Sequence, residues 1–178
     1  MPRLDDRGPG PRTIALWVLA LLVLAAGAGA LWAALASPAS WQVTDQGVVL
    51  TEAAATGQVG VELLYDGIGV VLCAVWGVAA GVRLRRVGWR IAPVVALACV
   101  AAALLAWQVG LLLGPPDPAT VAAAAEVGDT IEAQLSVDAR ASFLVWPIAG
   151  LAGLLLATAA TDRRPATFIE RSEPAPRP

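Results

Sequence analysis

IALWVLALLVLAAGAGALWAALA, the stretch from Ile14 to Ala36, contains no charged residue over 23 positions. At about 1.5 Å per helical residue it would extend for about 34 Å, which is enough to cross the ~30 Å hydrocarbon core of a bilayer. Pro38 follows the stretch and cannot continue a helix. The stretch therefore predicts a transmembrane helix.

Three more apolar segments follow, at residues 63–82, 91–113 and 143–161. Each has a length in the range that spans a membrane as a helix. The whole chain is 58% hydrophobic and 15% charged, with a mean hydropathy of +0.70, whereas a soluble domain carries about 25% charge. These values predict an all-α transmembrane fold, a four-helix membrane bundle with spans at about 14–36, 63–82, 91–113 and 143–161.

The first segment has an alternative interpretation as a signal peptide. Arg3, Arg7 and Arg12 would form its basic region, and residues 34–36 would form its cleavage site. However, the apolar region of a signal peptide is usually about 7–15 residues long. The longer segment here favours a retained helix.

The two loops at 37–62 and 114–142 have ordered-looking patterns. Residues 41–44 and 48–52 alternate around the turn residues 45–47, which predicts a β-hairpin. In the other loop a short helix is predicted over 119–127 and a strand over 130–137. The two loops are expected to form a small extracytoplasmic α/β cap, and the polar tails at 1–12 and 162–178 are expected to be disordered.

The distribution of arginine predicts the orientation. The chain has 12 arginines and no lysine, and eleven of them lie in the two tails or between residues 83 and 90. Arg140 is the one arginine in the other two loops. By the positive-inside rule, this pattern predicts a multi-pass membrane protein with both termini in the cytoplasm. The use of arginine without lysine, together with many alanines and glycines, suggests that the membrane is a bacterial plasma membrane.

Several function classes are disfavoured by composition. The chain has no histidine, its two cysteines are Cys73 and Cys99 inside apolar segments, and its net charge is −2. A concentrated basic face is needed for nucleic acid binding, and histidine is the commonest general base and metal ligand. The sequence therefore predicts no cofactor, no metal site, no nucleic acid partner and no enzymatic activity.

Four polar residues near one end of the spans form the candidate site. Asp66 lies inside the second span and Gln108 inside the third, at similar predicted depth. Glu62 and Arg140 lie just outside the second and fourth spans. A cluster of Glu62, Asp66, Gln108 and Arg140 is predicted, either as hydrogen bonds that join helices or as a proton or ligand site.

Small residues recur every fourth position along the second span, at Gly69, Cys73, Gly77 and Gly81. Such a stripe lets another backbone approach closely. It predicts a packing face, either inside the four-helix bundle or in a homodimer. Cys73 and Cys99 are expected to lie at different depths and to be unreactive.

The layout resembles an uncharacterised family of actinobacterial four-span membrane proteins, a domain of unknown function. The likeness covers most of the chain and is carried by Asp66-Gly67, by AWQVGLLLGPP at 106–116, by Val127-Gly128-Asp129 and by Leu144-Val145-Trp146-Pro147. The resemblance implies an actinobacterial plasma membrane protein. It implies no activity and no catalytic residues.

Three hypotheses for function follow. The first is a non-enzymatic accessory or scaffold protein of the plasma membrane, whose cap binds an envelope protein partner. The alternative is a small transporter or channel subunit that uses Asp66 and Gln108. The third, which the absence of histidine disfavours, is an enzyme that uses the carboxylates of Glu62 and Asp66. Besides the lipid bilayer, a partner protein or a second copy of the chain is expected to bind.

Overall fold

The computed structural model describes residues 10–37, 40–44, 47–49, 52–116, 130–132, 134–135, 137 and 140–162. Most of these residues belong to four α-helices. The helices are α1 (Pro11–Leu35), α2 (Glu52–Arg83), α3 (Ile91–Leu113) and α4 (Ser142–Asp162). A short 3₁₀ helix, Arg85–Arg90, joins α2 to α3. The predicted tails at 1–12 and 162–178 lie largely outside the described residues.

The helix ends follow from local sequence. Pro11 is the first residue of α1. Proline lacks a backbone N–H, and at this position an N–H would have no acceptor within the helix. The backbone becomes extended at Ala36 after α1 and at Gly114 after α3. Helix α2 differs from prediction, because it begins at Glu52 rather than near residue 63. Alanines at 53–55 favour helix strongly, so the second half of the predicted loop 37–62 is helical.

Four helical segments, the third of which includes the 3₁₀ helix, are long and apolar enough to cross a membrane. The segments are Pro11–Leu35, Val59–Arg83, Arg85–Leu113 and Ser142–Thr161. Large apolar side chains cover the outside of the bundle, for example Val75, Leu97 and Leu155, which are 65–72% exposed. An apolar exterior of this kind is compatible with a multi-pass membrane protein.

The helices are arranged so that consecutive neighbours in the chain are not always neighbours in space. Helix α2 packs most extensively on α4, and α1 packs most extensively on α3. Helix α3 also packs on α4, and α1 more lightly on α2. Consequently α2 and α3 lie across a diagonal of the bundle, although only the short 3₁₀ helix connects them.

Three short strands come from the two loops. They are β1 (Ser40–Thr44), β2 (Gly47–Val49) and β3 (Thr130–Glu132). Strand β1 is central and pairs antiparallel with β2 and with β3. Val43 lies opposite Val48, and Trp41 lies opposite Ile131. The sheet therefore joins the first loop to the second.

The predicted α/β cap is not supported as a whole. The described residues of the two loops contain short strands but no separate helix, and the predicted helix at 119–127 lies outside the described residues. The predicted strand at 130–137 is also shorter, because the described strand ends at Glu132. Beyond that strand, Leu135 is only 1% exposed and belongs to the core of the helical bundle. Its apolar side chain therefore anchors the second loop to the bundle instead of extending the sheet.

Candidate functional site

The candidate site centres on a hydrogen bond between α2 and α4. The Ser142 hydroxyl, in the first turn of α4, donates to Asp66 Oδ2 over 3.2 Å. Ser142 is 4% exposed and is the one fully buried polar residue among the described residues. The other carboxylate oxygen, Asp66 Oδ1, is buried and has no hydrogen-bond partner in the described part of the chain.

The structure does not assemble the predicted four-residue cluster. Gln108 is exposed on the outside of α3, and Arg140 is exposed before α4 begins. Asp66 instead faces α4, where Ser142 provides its hydrogen bond. Gln108 does not meet Asp66 because its side chain points away from the bundle. Elsewhere α2 and α3 do come together, for example at the bond from the Tyr65 hydroxyl to the carbonyl oxygen of Ala103. Glu62 is half-buried one turn before Asp66 on α2.

An aromatic cluster includes Tyr65 and Phe143, which are next to Asp66 and Ser142 in the chain. Tyr65 is its centre, with ring centroids 5.1 Å from Trp32, 5.2 Å from Trp146 and 6.2 Å from Phe143. Trp107 extends the cluster through an edge-to-face contact with Phe143 at 5.6 Å. The rings come from all four helices, so the cluster ties the whole bundle together at the end where the two long loops connect.

Two of these aromatic residues also bond to the backbone of other helices. Trp32 Nε1 donates to the carbonyl oxygen of Val61 over 2.9 Å, and the Tyr65 hydroxyl donates to that of Ala103 over 2.8 Å. The indole nitrogens of Trp107 and Trp146 are buried without a partner in the described part of the chain. The polar atoms thus orient the rings at the ends of the spans, where aromatic residues are enriched.

The sequence patterns did not indicate Tyr65 as a site residue. It is the one tyrosine of the chain and directly precedes Asp66. Its burial to 1% exposure depends on which face of α2 meets the other helices. Tyr65 lies four residues before Gly69, in line with the stripe of small residues, and the spacing of that stripe is the signal that could have identified its face.

The predicted packing stripe on α2 lies against α4. The backbone at Gly69 touches the Trp146 ring, and Gly77 touches the backbone of Gly150. A Cβ atom at Gly81 would lie 2.6 Å from the Cβ of Ala157. The stripe therefore packs inside the bundle and lets α2 and α4 approach closely.

The two cysteines meet in the core. Cys73 of α2 and Cys99 of α3 are both fully buried, and their thiols lie close enough to interact. The expectation that they lie at different depths was wrong. Gly150 of α4 leaves the space for this contact, since a Cβ atom there would lie 2.6 Å from the Cys99 sulfur.

A groove of about 550 Å³ opens between α1 and α2. Leu24, Ala28 and Leu31 form its α1 side, and residues from Leu63 to Leu72 form its α2 side. Every lining residue is apolar or glycine. The groove thus provides no polar group that would bind a hydrophilic substrate, and it does not include Asp66.

In the described part of the chain, the hydrogen bond of the Asp66 side chain is the one to Ser142. Within the described residues no group of three His, Cys, Asp or Glu side chains is placed to hold a metal ion. Comparison with known proteins adds no analogy. No protein-family model, curated protein or solved structure matches the chain.

Proposed function

We propose that the chain is a non-enzymatic accessory or scaffold protein of the plasma membrane that presents its outer loops to an envelope protein. The observation that carries the proposal is the pairing of β1 with β3, which joins the two loops into one sheet. In the described part of this sheet β2 and β3 are edge strands. Exposed strand edges offer backbone groups to which a partner can add a strand.

The interior of the bundle supports a scaffold over a transporter. Among the described residues, the buried side chains are aliphatic, aromatic or cysteine, with Ser142 as the exception, and the buried polar groups of Tyr65 and Trp32 donate to backbone carbonyls. Substrate paths in small transporters use polar residues and broken helices near the middle of the membrane. A transporter or channel subunit built on Asp66 and Gln108 has less support, because Gln108 lies outside the bundle and Asp66 faces α4.

The proposed orientation places the sheet outside the cell and both termini in the cytoplasm. Its support is the distribution of arginine, which is dense between residues 83 and 90 and sparse in the two long loops. The membrane in question would be a bacterial, and by resemblance an actinobacterial, plasma membrane. A cysteine introduced at Val48 should react with a membrane-impermeant maleimide on intact cells, whereas one introduced at Trp89 should react only after lysis.

A crosslinking experiment in native membranes tests the scaffold proposal. A photoreactive residue is placed at Val48 in β2 or at Ile131 in β3, and at Trp89 on the opposite end as the control. We expect one discrete protein adduct from both sheet positions and not from Trp89. The same adduct should form when the protein also carries Asp66→Ala.

Two results would contradict the proposal. Adducts that are identical at Val48 and Trp89 would show contact by chance rather than docking on the sheet. Loss of growth caused by a correctly folded Asp66→Ala protein, with no adduct from the sheet, would favour the transporter hypothesis instead.

A further inference from the structure

The turn between α2 and α3 concentrates positive charge. We call residues 83–90 the arginine turn. It carries Arg83, Arg85, Arg86 and Arg90, and all four side chains are exposed. The sequence contains no acidic residue from 67 to 116, and within the described residues none of the four arginines forms an ion pair.

The backbone of the arginine turn is fixed by the bundle. Leu84 and Ile91 are 2% and 5% exposed, and Val87 packs against the core. The N–H of Val87 donates to the carbonyl of Leu84 over 2.8 Å. Gly88 adopts a φ of 70°, which a glycine accepts without strain. The arginines therefore project from a turn that is already ordered before anything binds, which lowers the entropic cost of binding.

The location of the arginine turn selects the kind of partner. It connects two helices that are apolar enough to span a membrane, so it must lie where the hydrocarbon ends and the lipid headgroups begin. Trp89 is 81% exposed in the same turn, and tryptophan is enriched at that depth. Guanidinium groups bind phosphate through paired N–H donors.

We propose that the arginine turn is a binding site for the headgroups of anionic phospholipids. The exposed arginines supply the charge, the buried apolar residues between them hold the turn in place, and Trp89 lies beside the adjoining acyl chains. This inference does not depend on the proposed scaffold function, since it concerns the opposite end of the bundle.

Lipid binding to the purified full chain in detergent tests the proposal. Native mass spectrometry counts bound phosphatidylglycerol and phosphatidylcholine for the wild type, for R85Q/R86Q and for R140Q. Each arginine of the turn contributes to the free energy of binding anionic lipid. Replacing two of them should weaken phosphatidylglycerol binding about 30-fold. R140Q, which removes an exposed arginine from the opposite end, should bind phosphatidylglycerol like the wild type.

Further variants keep the test decisive. R83Q/R90Q on the same turn should lose a similar amount, and R85K/R86K should retain most of the binding because it keeps the charge. Helical content measured by circular dichroism identifies any variant that fails to fold, and the other pair then decides. Four results would overturn the proposal. The wild type could bind both lipids equally, or both glutamine pairs could bind phosphatidylglycerol like the wild type. R140Q could lose as much binding as the glutamine pairs, or inorganic phosphate at the lipid's concentration could displace the lipid.

Discussion

The two halves of the helical bundle hold the same four helices together by different means. The half near the long loops, which we call the aromatic half, contains Trp32, Tyr65, Trp107, Phe143 and Trp146 from all four helices. The other half, the glycine half, brings Gly77 and Gly81 of α2 against Gly150 and Ala157 of α4. Large rings fill the aromatic half, where α1 and α3 also approach closely at Gly29 and Ala106. In the glycine half, glycines bring α2 and α4 into backbone contact.

This difference separates two sources of stability in a membrane bundle. Lipid is as apolar as leucine, so burial of apolar surface alone does not drive helices together in a bilayer. Close backbone contact and hydrogen bonds between helices must do so instead. The glycine half relies mainly on the first of these and has one bond between helices, from Trp76 Nε1 to the carbonyl oxygen of Trp17 over 3.3 Å. The aromatic half has two shorter bonds, from Trp32 and Tyr65 to backbone carbonyls.

The largest loss of stability is expected from a substitution in the aromatic half. Trp146→Ala removes a ring that is 0% exposed and that contacts Tyr65 and Gly69. The free energy of unfolding should fall by about 3–5 kcal/mol, because the surrounding rings cannot fill the cavity. The measurement is reversible unfolding in detergent micelles titrated with dodecyl sulfate.

Trp89→Ala is the matched control for that substitution. Trp89 is 81% exposed and is not a member of the core. Its removal should change the free energy of unfolding by less than about 0.5 kcal/mol. If both tryptophan variants lost the same stability, the aromatic half would not be the anchor that its contacts indicate.

The second largest loss of stability is expected from a substitution in the glycine half. A Cβ atom at Gly77 would overlap the backbone carbonyl of Gly150, which cannot move aside without shifting α4. Gly77→Ala should therefore lower the free energy of unfolding by about 1–3 kcal/mol. In contrast, a Cβ atom at Gly67 meets nothing within 4 Å, so Gly67→Ala should leave stability unchanged or raise it slightly.

Thermal unfolding of both glycine variants in the same detergent checks this contrast. A loss at Gly77 without a loss at Gly67 would place the constraint at the contact between α2 and α4. Equal losses would indicate that glycine is needed for flexibility of α2 and not for its approach to α4.

The sequence predicted where the helices lie in the chain better than which helices pack against one another. Uncharged runs ended by Pro38 and Gly114 are strong signals, because they depend on local composition alone. The start of α2 at Glu52 was missed because its first turns mix alanines with glycines and polar residues and lie outside the apolar run. Which helix faces which depends on the side chains of four segments at once, and no single segment contains that information.

The residues of the candidate site were likewise only partly predictable from the sequence. Asp66 was identified because it is the one acid inside an apolar run, and the stripe from Gly69 to Gly81 because its spacing is regular. Gln108 was selected by depth alone, although its direction around α3 points away from the bundle. Ser142 was not selected, because a serine at the start of a span has no distinguishing pattern.

The smallest expected effect concerns the bond between Asp66 and Ser142. Interhelical hydrogen bonds in membranes are worth about 0.6–1.7 kcal/mol. Ser142→Ala should cost about that amount when Asp66 is present, because both carboxylate oxygens are then left without a partner. In a chain that already carries Asp66→Ala, the same serine substitution should cost much less, and a double-mutant cycle measures the difference.

Thr158 provides the control within the same helix. Its hydroxyl is exposed and donates to the carbonyl of Leu155 in its own helix over 2.9 Å, so Thr158→Ala should have the same small effect whether residue 66 is aspartate or alanine. A coupling confined to Ser142 would mean that Asp66 joins α2 to α4 as part of the architecture. Absence of coupling would mean that the carboxylate is held in the bundle for something other than this bond, which would move the candidate site from the scaffold hypothesis toward transport.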